Sequence, residues 1–227
     1  MTTARRILFL TTSMGRGGAE RQVVDLAAML RGRGWTVAVL SMTAPSDHQD
    51  ELAAAAIELG SLDMTRGRPT GAALVRYLSF LRKWRPDVVH AHMVHANLLA
   101  RIGRAFVPSI PIVSTVHSVV EGRRWRELAY RLTDPLSSAT TAVSRAATDR
   151  YVRVGAVPRG RIVTIPNGFD VSRDPVPTDA RNALRRELGL DDAFAWLTVG
   201  RLVPEKGHDM LLRAFCQVRR AVTPLAS

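Results

Sequence analysis

Apolar residues in this chain keep two rhythms that alternate along its length. Ile7–Leu10 is a short run of strand type, and after it Val23, Leu26, Ala27 and Leu30 fall at i, i+3, i+4 and i+7. That spacing predicts a helix with one buried stripe, ending near Gly32 and Gly34. The pattern then repeats. Thr36–Met42 reads as a second strand, 51–56 as a helix and Ile57–Leu59 as a short edge strand, before a charged, glycine-bearing loop over 61–68. Leu74, Tyr77, Leu78 and Leu81 mark a helix that Pro86 ends ahead of a strand at Val88–Ala91. Further pairs follow: a helix from about His95 to Phe106 with a strand at 112–116, a helix within 124–137 with a strand at 140–143, and a helix at 145–154 with a strand at 161–165.

Strands separated by helices of this length predict an α/β, Rossmann-like domain, a parallel sheet covered on both faces and joined by right-handed crossovers. In such sheets ligands sit beyond the carboxyl ends of the strands. The residues at those ends are glycines 15, 17 and 18 after the first strand, His90 and His92 about the fourth, His117 after the fifth, Ser144 after the sixth, and Asn167 with Gly168 after the seventh. His90 has apolar strand neighbours and reads as a core histidine. His117 ends its strand and is followed by Ser118 in a loop. Residues 170–178 carry two prolines and no periodicity, which predicts domains at 1–170 and 180–227 with a linker at 171–179. In the second unit 181–188 reads as a helix, Ala195–Val199 as a buried strand, and Leu211, Phe215, Val218 and Val222 as the stripe of another helix. One strand with two helices cannot bury the faces of a sheet, so this unit is expected to be the incomplete start of a second Rossmann-like domain.

The glycine turn is the first place to look for chemistry. Glycines 15, 17 and 18 can take positive φ and leave no Cβ between the main chain and a ligand, while the next helix offers its N–H groups and positive dipole end. A phosphate fits that description. A P-loop would need Gly-Lys-Ser/Thr, yet Gly18 is followed by Ala19 and Glu20. A dinucleotide fingerprint would need a small residue at Glu20 and an acid closing the second strand, where Ser41, Met42 and Thr43 stand instead. Neither motif is met. A tight turn without a ligand accounts for the glycines equally well.

Composition narrows the classes further. The formal charge of +12 invites a nucleic-acid reading, but lysine occurs only at 83 and 206 and the arginines are scattered. No helix-turn-helix, zinc-ligand or aromatic-basic pattern accompanies them, so no nucleic-acid partner is expected. An anionic membrane surface suits the charge better. The stretch 122–131 combines four arginines with Trp125 and Tyr130, and it either lies on lipid or tucks its tryptophan into the core. A single cysteine, Cys216, excludes an internal disulfide and reads as a helix-packing residue. The apolar run after Arg5 and Arg6 is too short for a signal peptide, and nowhere do 18 apolar residues run on, so a cytoplasmic location is expected.

A second loop, Gly200-Arg201-Leu202-Val203-Pro204-Glu205-Lys206-Gly207, again joins a strand end to a helix start. Arg201 offers a planar fork for phosphate oxygens and Lys206 a mobile point charge, a pair suited to a diphosphate, although a solvated loop would carry them too. With this loop the chain resembles the retaining nucleotide-sugar glycosyltransferases of family 4, which have the GT-B architecture of two facing Rossmann-like domains. The resemblance is carried in order by Gly17-Gly18-Ala19-Glu20, Val89-His90-Ala91-His92, Thr115-Val116-His117-Ser118, Val143-Ser144, Ile165-Pro166-Asn167-Gly168-Phe169-Asp170 and 199–207.

The resemblance implies a donor nucleotide-sugar, a glycan or lipid-linked acceptor, and no metal or other cofactor. Asp-x-Asp does not occur in the sequence. Gly17 and Gly18 would approach the donor, His117 would hydrogen-bond the transferred sugar near the reacting carbon, and Arg201 with Lys206 would hold the diphosphate. Glu20, His92, Ser144 and Asn167 would line the acceptor side or cleft. Their shared task would be charge stabilisation as the nucleoside diphosphate leaves. The family's second domain also carries two glutamates separated by seven residues, a spacing absent here. The expectation is therefore a protein truncated within that domain and weak or inactive in transfer by itself. A non-catalytic glycan-binding domain, or half of a split enzyme, is the alternative.

Overall fold

A computed structural model describes residues 5–65, 70–120, 124–169, 177–190 and 193–222. The chain divides into two compact units, Met1–Phe169 and Asp170–Ser227. Most of the expected linker lies outside the described residues, as do 66–69 of the charged loop and 122–123 of the basic stretch.

The first unit is a seven-stranded parallel sheet. In chain order the strands are β1 (Arg6–Thr11), β2 (Thr36–Ser41), β3 (Glu58–Ser61), β4 (Val88–His92), β5 (Ile112–Val116), β6 (Ala139–Ala142) and β7 (Ile162–Thr164). They lie side by side as β3-β2-β1-β4-β5-β6-β7. Helices α1 (Gly18–Gly32), α2 (Gln49–Ala54), α3 (Gly71–Trp84), α4 (Val94–Arg104), α5 (Arg124–Thr133) and α6 (Arg145–Arg153) make the crossovers.

Strand alternation decides which residue meets which layer. On β1, Ile7 and Phe9 point to the cluster with Val23, Val24 and Ala27 of α1 and Leu52 of α2. Leu8 and Leu10 point the other way, to Tyr77 and Leu81 of α3 and Ala96 and Ala100 of α4. Both faces of this strand are therefore dry, and complete burial of a side chain such as Phe9 stabilises the fold by about 1.5–3 kcal/mol. A third cluster gathers Val116, Tyr130, Ala142, Tyr151, Val157 and Ile162 under β5–β7. Strand order runs outward from β1 in one direction and from β4 in the other, so the switch point lies between these two strands. Their carboxyl ends meet there, with Thr11 beside His92.

The second unit holds α7 (Thr178–Glu187) and α8 (His208–Val222). The expected buried strand at Ala195–Val199 is not formed: the segment is irregular, and Leu197 is 88% and Val199 85% exposed. A strand needs a ladder partner for its N–H and C=O groups, and no neighbouring strand is present among the described residues of this unit. The α8 stripe is open for the same reason, with Leu211, Phe215 and Val218 all exposed. Cys216, expected to pack, is exposed too.

Candidate functional site

The carboxyl rim of the sheet gathers seven of the residues singled out in the sequence, all in the first unit: Gly17, Gly18, Glu20, His92, His117, Ser144 and Asn167. Arg201 and Lys206 stand in the second unit.

Three histidines form the chemical centre of the rim. His90 and His92, two apart on β4, have ring centroids 4.2 Å apart at a 41° tilt, and both lie against Phe9 of the neighbouring strand. His92 Nδ1 lies 2.9 Å from His117 Nε2, so one ring donates its N–H to the other's lone pair. His90 Nε2 is held 2.7 Å from Thr115 Oγ1, which in turn meets Thr141 Oγ1 at 2.7 Å. His92 is 1% exposed, and its Nε2 has no hydrogen-bond partner among the described residues. His90 and His117 are both half-buried, and His117 lies past the end of β5.

Burial strips water from these rings and disfavours their charged forms. It is the larger cause of the fall of His90 to about 4, with the nearness of His117 adding to it. His117 falls to about 4 through burial. His92 lies well below the ordinary range through burial, and then through His90 and His117. At neutral pH the rim therefore presents neutral imidazoles, able to donate and accept hydrogen bonds but carrying no charge.

The glycine turn differs from expectation. None of glycines 15, 17 and 18 has positive φ; Gly17 is extended at −157° and caps α1. Its lack of a side chain serves a close approach instead, since a Cβ at 17 would collide with the Glu20 carboxylate. Glu20 folds back over the helix start and accepts from Ser13 Oγ at 2.8 Å. A carboxylate at that end answers the helix dipole in the way a bound phosphate would. Gly18 faces open space.

Ser144 caps α6, its Oγ accepting the Ala147 N–H at 3.2 Å. Asn167 is half-buried past the end of β7. In the second unit Arg201 and Lys206 are both exposed, at either end of a turn closed by Gly207 at φ +62°, and His208 Nε2 meets the Arg201 carbonyl at 3.0 Å. Among the described residues no group of three or more His, Cys, Asp or Glu is placed to hold a metal ion.

Two features of the rim were not visible in the sequence. Met93 joins β4 to α4 at φ 72° and ψ 156°, a conformation that strains a residue with a side chain and costs on the order of 1–3 kcal/mol. It turns the chain sharply after His92. Behind the rim Arg101 is fully buried, bonded to Ser114 Oγ at 3.1 Å, Thr140 Oγ1 at 2.9 Å and the Tyr130 carbonyl at 3.2 Å. Tyr130 OH receives Asn97 Nδ2 at 2.7 Å. This network locks α4 and α5 against β5 and β6, and so fixes the strand that leads into His117.

The parallel sheet with this strand order has the Rossmann-like fold found in GT-B glycosyltransferase structures. Residues 16–173 match the model of glycosyltransferase family 4, and the chain belongs to that family. A glycogen synthase of Mycobacterium tuberculosis is 29% identical over 240 residues, 90% of this chain and 55% of that protein. A GDP-mannose-dependent phosphatidylinositol monomannoside mannosyltransferase of Mycolicibacterium smegmatis is 36% identical over 90 residues, 40% of this chain and 23% of that protein. The crystal structure of Anabaena HepE in complex with UDP and glucose superimposes with a TM-score of 0.77 at 23% identity, over 94% of this chain and 58% of that one. The chain thus spans little more than half the length of the relatives it matches most fully. No helix among the described residues is long and apolar enough to cross a membrane.

Proposed function

We propose that the protein is a retaining glycosyltransferase, moving a hexosyl or N-acetylhexosaminyl unit from a nucleotide-sugar to a glycan or lipid-linked acceptor during synthesis of a cell-surface polysaccharide or glycolipid at the cytoplasmic side of the membrane. The observation that carries this reading is the His117 imidazole, held at 2.9 Å from buried His92 on the rim of a family 4 sheet. A charged ring there would repel the positive charge that develops at the anomeric carbon as the phosphate leaves; a neutral ring can hydrogen-bond a sugar hydroxyl without that penalty. Support also comes from the relatives, one named for its GDP-mannose dependence and one crystallised with UDP and glucose.

In this reading Arg201 and Lys206 take the diphosphate and balance its charge without a metal, and Gly18 gives the donor open backbone to approach. Glu20, His92, Ser144 and Asn167 shape the acceptor side. The anomeric carbon–oxygen bond to phosphate breaks, the acceptor oxygen bonds to the same face, and the acceptor hydroxyl's proton passes to the departing nucleoside diphosphate. Transfer by these 227 residues alone is slow, since the 195–199 segment beside Arg201 has no ladder partner among the described residues to hold the loop in place.

Calorimetric titration with UDP-glucose and GDP-mannose tests this. One of the donors is expected to bind, with affinity falling about tenfold to a hundredfold in Arg201→Ala and in Lys206→Ala, as for loss of a charge-assisted hydrogen bond. Glycan binding with no affinity for any nucleotide-sugar would overturn the reading in favour of a non-catalytic binding domain.

A further inference from the structure

Helix α5 is built inside out. On a helical wheel Arg126, Glu127, Tyr130 and Thr133 share one side and Trp125, Leu128 and Leu132 the other. The polar side is the one that packs inward. Tyr130 is fully buried beneath its bond from Asn97, Glu127 pairs with Arg150 of α6 at 2.5 Å, and Thr133 Oγ1 donates to the Ala129 carbonyl at 2.7 Å. The apolar side faces out, with Trp125 51%, Leu128 55% and Leu132 70% exposed. An ordinary surface helix does the reverse.

The loop before the helix continues the same character. Val119 and Val120 are exposed and lie five and four residues before Arg124, within about 18 Å and 14 Å of it by the reach of the chain. Charge completes the picture. Arg124 and Arg131 are exposed and border the apolar stripe on one side, while the only carboxylate of the helix, Glu127, is turned inward onto Arg150. The outer surface of α5 thus presents tryptophan and leucine edged by arginine, with no acid on that side of the helix.

We propose that this surface docks on an anionic lipid bilayer, with Trp125, Leu128 and Leu132 entering the headgroup boundary and Arg124 and Arg131 meeting lipid phosphates. The arginine border selects this occupant: an apolar protein partner would have to bury two unmatched cations, whereas lipid phosphates neutralise them. Val119 follows His117 by two residues, so docking sets the carboxyl rim of the sheet next to the membrane surface. That placement suits an acceptor carried on lipid and extends the transferase reading, although the docking itself does not depend on sugar transfer.

Sedimentation with sucrose-loaded vesicles tests the surface directly. The wild-type chain is expected to pellet with vesicles of equal parts phosphatidylcholine and phosphatidylglycerol, and to stay in the supernatant with phosphatidylcholine alone. Replacing Arg124 and Arg131 by glutamine should weaken partitioning about thirtyfold, at the usual strength of a basic residue near an anionic surface. Replacing Leu128 and Leu132 by serine should weaken it about tenfold. All four side chains are exposed, and an unchanged far-ultraviolet dichroism spectrum confirms that each variant is folded. Absence of pelleting by the wild type, equal pelleting with both vesicle types, or equal pelleting of wild type and variants overturns the proposal. Each of those results leaves nucleotide-sugar binding, read by calorimetry, unaffected, so the two readings fail separately.

Discussion

Lowering the pH from about 7 to about 5 is the perturbation to which the cluster of His90, His92 and His117 responds most strongly. In the unfolded chain each histidine gains its proton near the ordinary value of about 6.5. In the fold His90 and His117 hold out until about 4. Between those values the unfolded state binds more protons, so stability is full above the unfolded pKa and is lost as pH falls through the window from about 6.5 to 4. At about pH 5 the difference is one and a half pH units per ring, which amounts to about 2 kcal/mol each and about 4 kcal/mol for the pair. His117 is partly open to water, which trims its share, while His92 adds to the loss in the same direction. For a domain with a total stability of roughly 5–15 kcal/mol this is a large fraction. Urea denaturation followed by circular dichroism at about pH 7, 6 and 5 measures it. The midpoint should fall steeply with acid, and His117→Gln, which cannot titrate, should remove up to about 2 kcal/mol of the drop. Stability that is flat over this range, or a drop of the same size in His117→Gln, would refute neutral buried imidazoles at the rim.

Other outcomes follow from single contacts. A Cβ on Gly103 would stand 2.5 Å from Tyr77 Cε1 inside the core, so Gly103→Ala should cost about 1–3 kcal/mol in thermal or urea unfolding. Gly17→Ala displaces the Glu20 carboxylate from Ser13 and should cost about 1 kcal/mol, a cost that disappears in the Glu20→Ala background; full additivity in the double-mutant cycle would show that the two do not touch. Ser144→Ala loses the α6 cap and should cost about 1 kcal/mol, whereas Ser144→Asp keeps the cap. If Ser144 also meets substrate, the aspartate variant keeps its stability and loses ligand affinity in calorimetry. Chelation with EDTA should leave nucleotide-sugar affinity unchanged, and a large loss would show that a metal supplies the charge assigned to Arg201 and Lys206.

Much of the first unit was legible because its determinants are local. Alternating strand and helix periods located β1 to β7 within a few residues, and the rule that ligands gather past strand ends picked out His92, His117 and Ser144 before any topology was known. What joins those residues is not local. The His92–His117 bond spans 25 positions and exists because β4 and β5 pair in a register that sets His92 beside Thr115, two residues before His117. The sequence marked the basic stretch 122–131 with Trp125 and Tyr130 but could not say whether the tryptophan faces outward or into the core, since that depends on Tyr130 finding Asn97. Arg101 is hidden for a related reason: arginine belongs at the surface unless several oxygens converge on it, and those of Ser114, Tyr130 and Thr140 come from three separate elements. The failure at Ala195–Val199 is of another kind. Its composition suits a buried strand, but strand structure belongs to a pair of segments and cannot be read from one.

The most direct test of the account is the ¹⁵N spectrum of the histidine side chains, recorded on the 227-residue chain during titration with the nucleotide-sugar that calorimetry selects. The account predicts that the His117 ring nitrogens shift on saturation, that the His92 nitrogen bonded to them shifts in step, and that in Lys206→Ala both shifts are reached only at donor concentrations about tenfold to a hundredfold higher. Saturating donor that leaves the His117 resonances in place, while Lys206→Ala still weakens binding, would contradict the assignment of His117 to the transferred sugar.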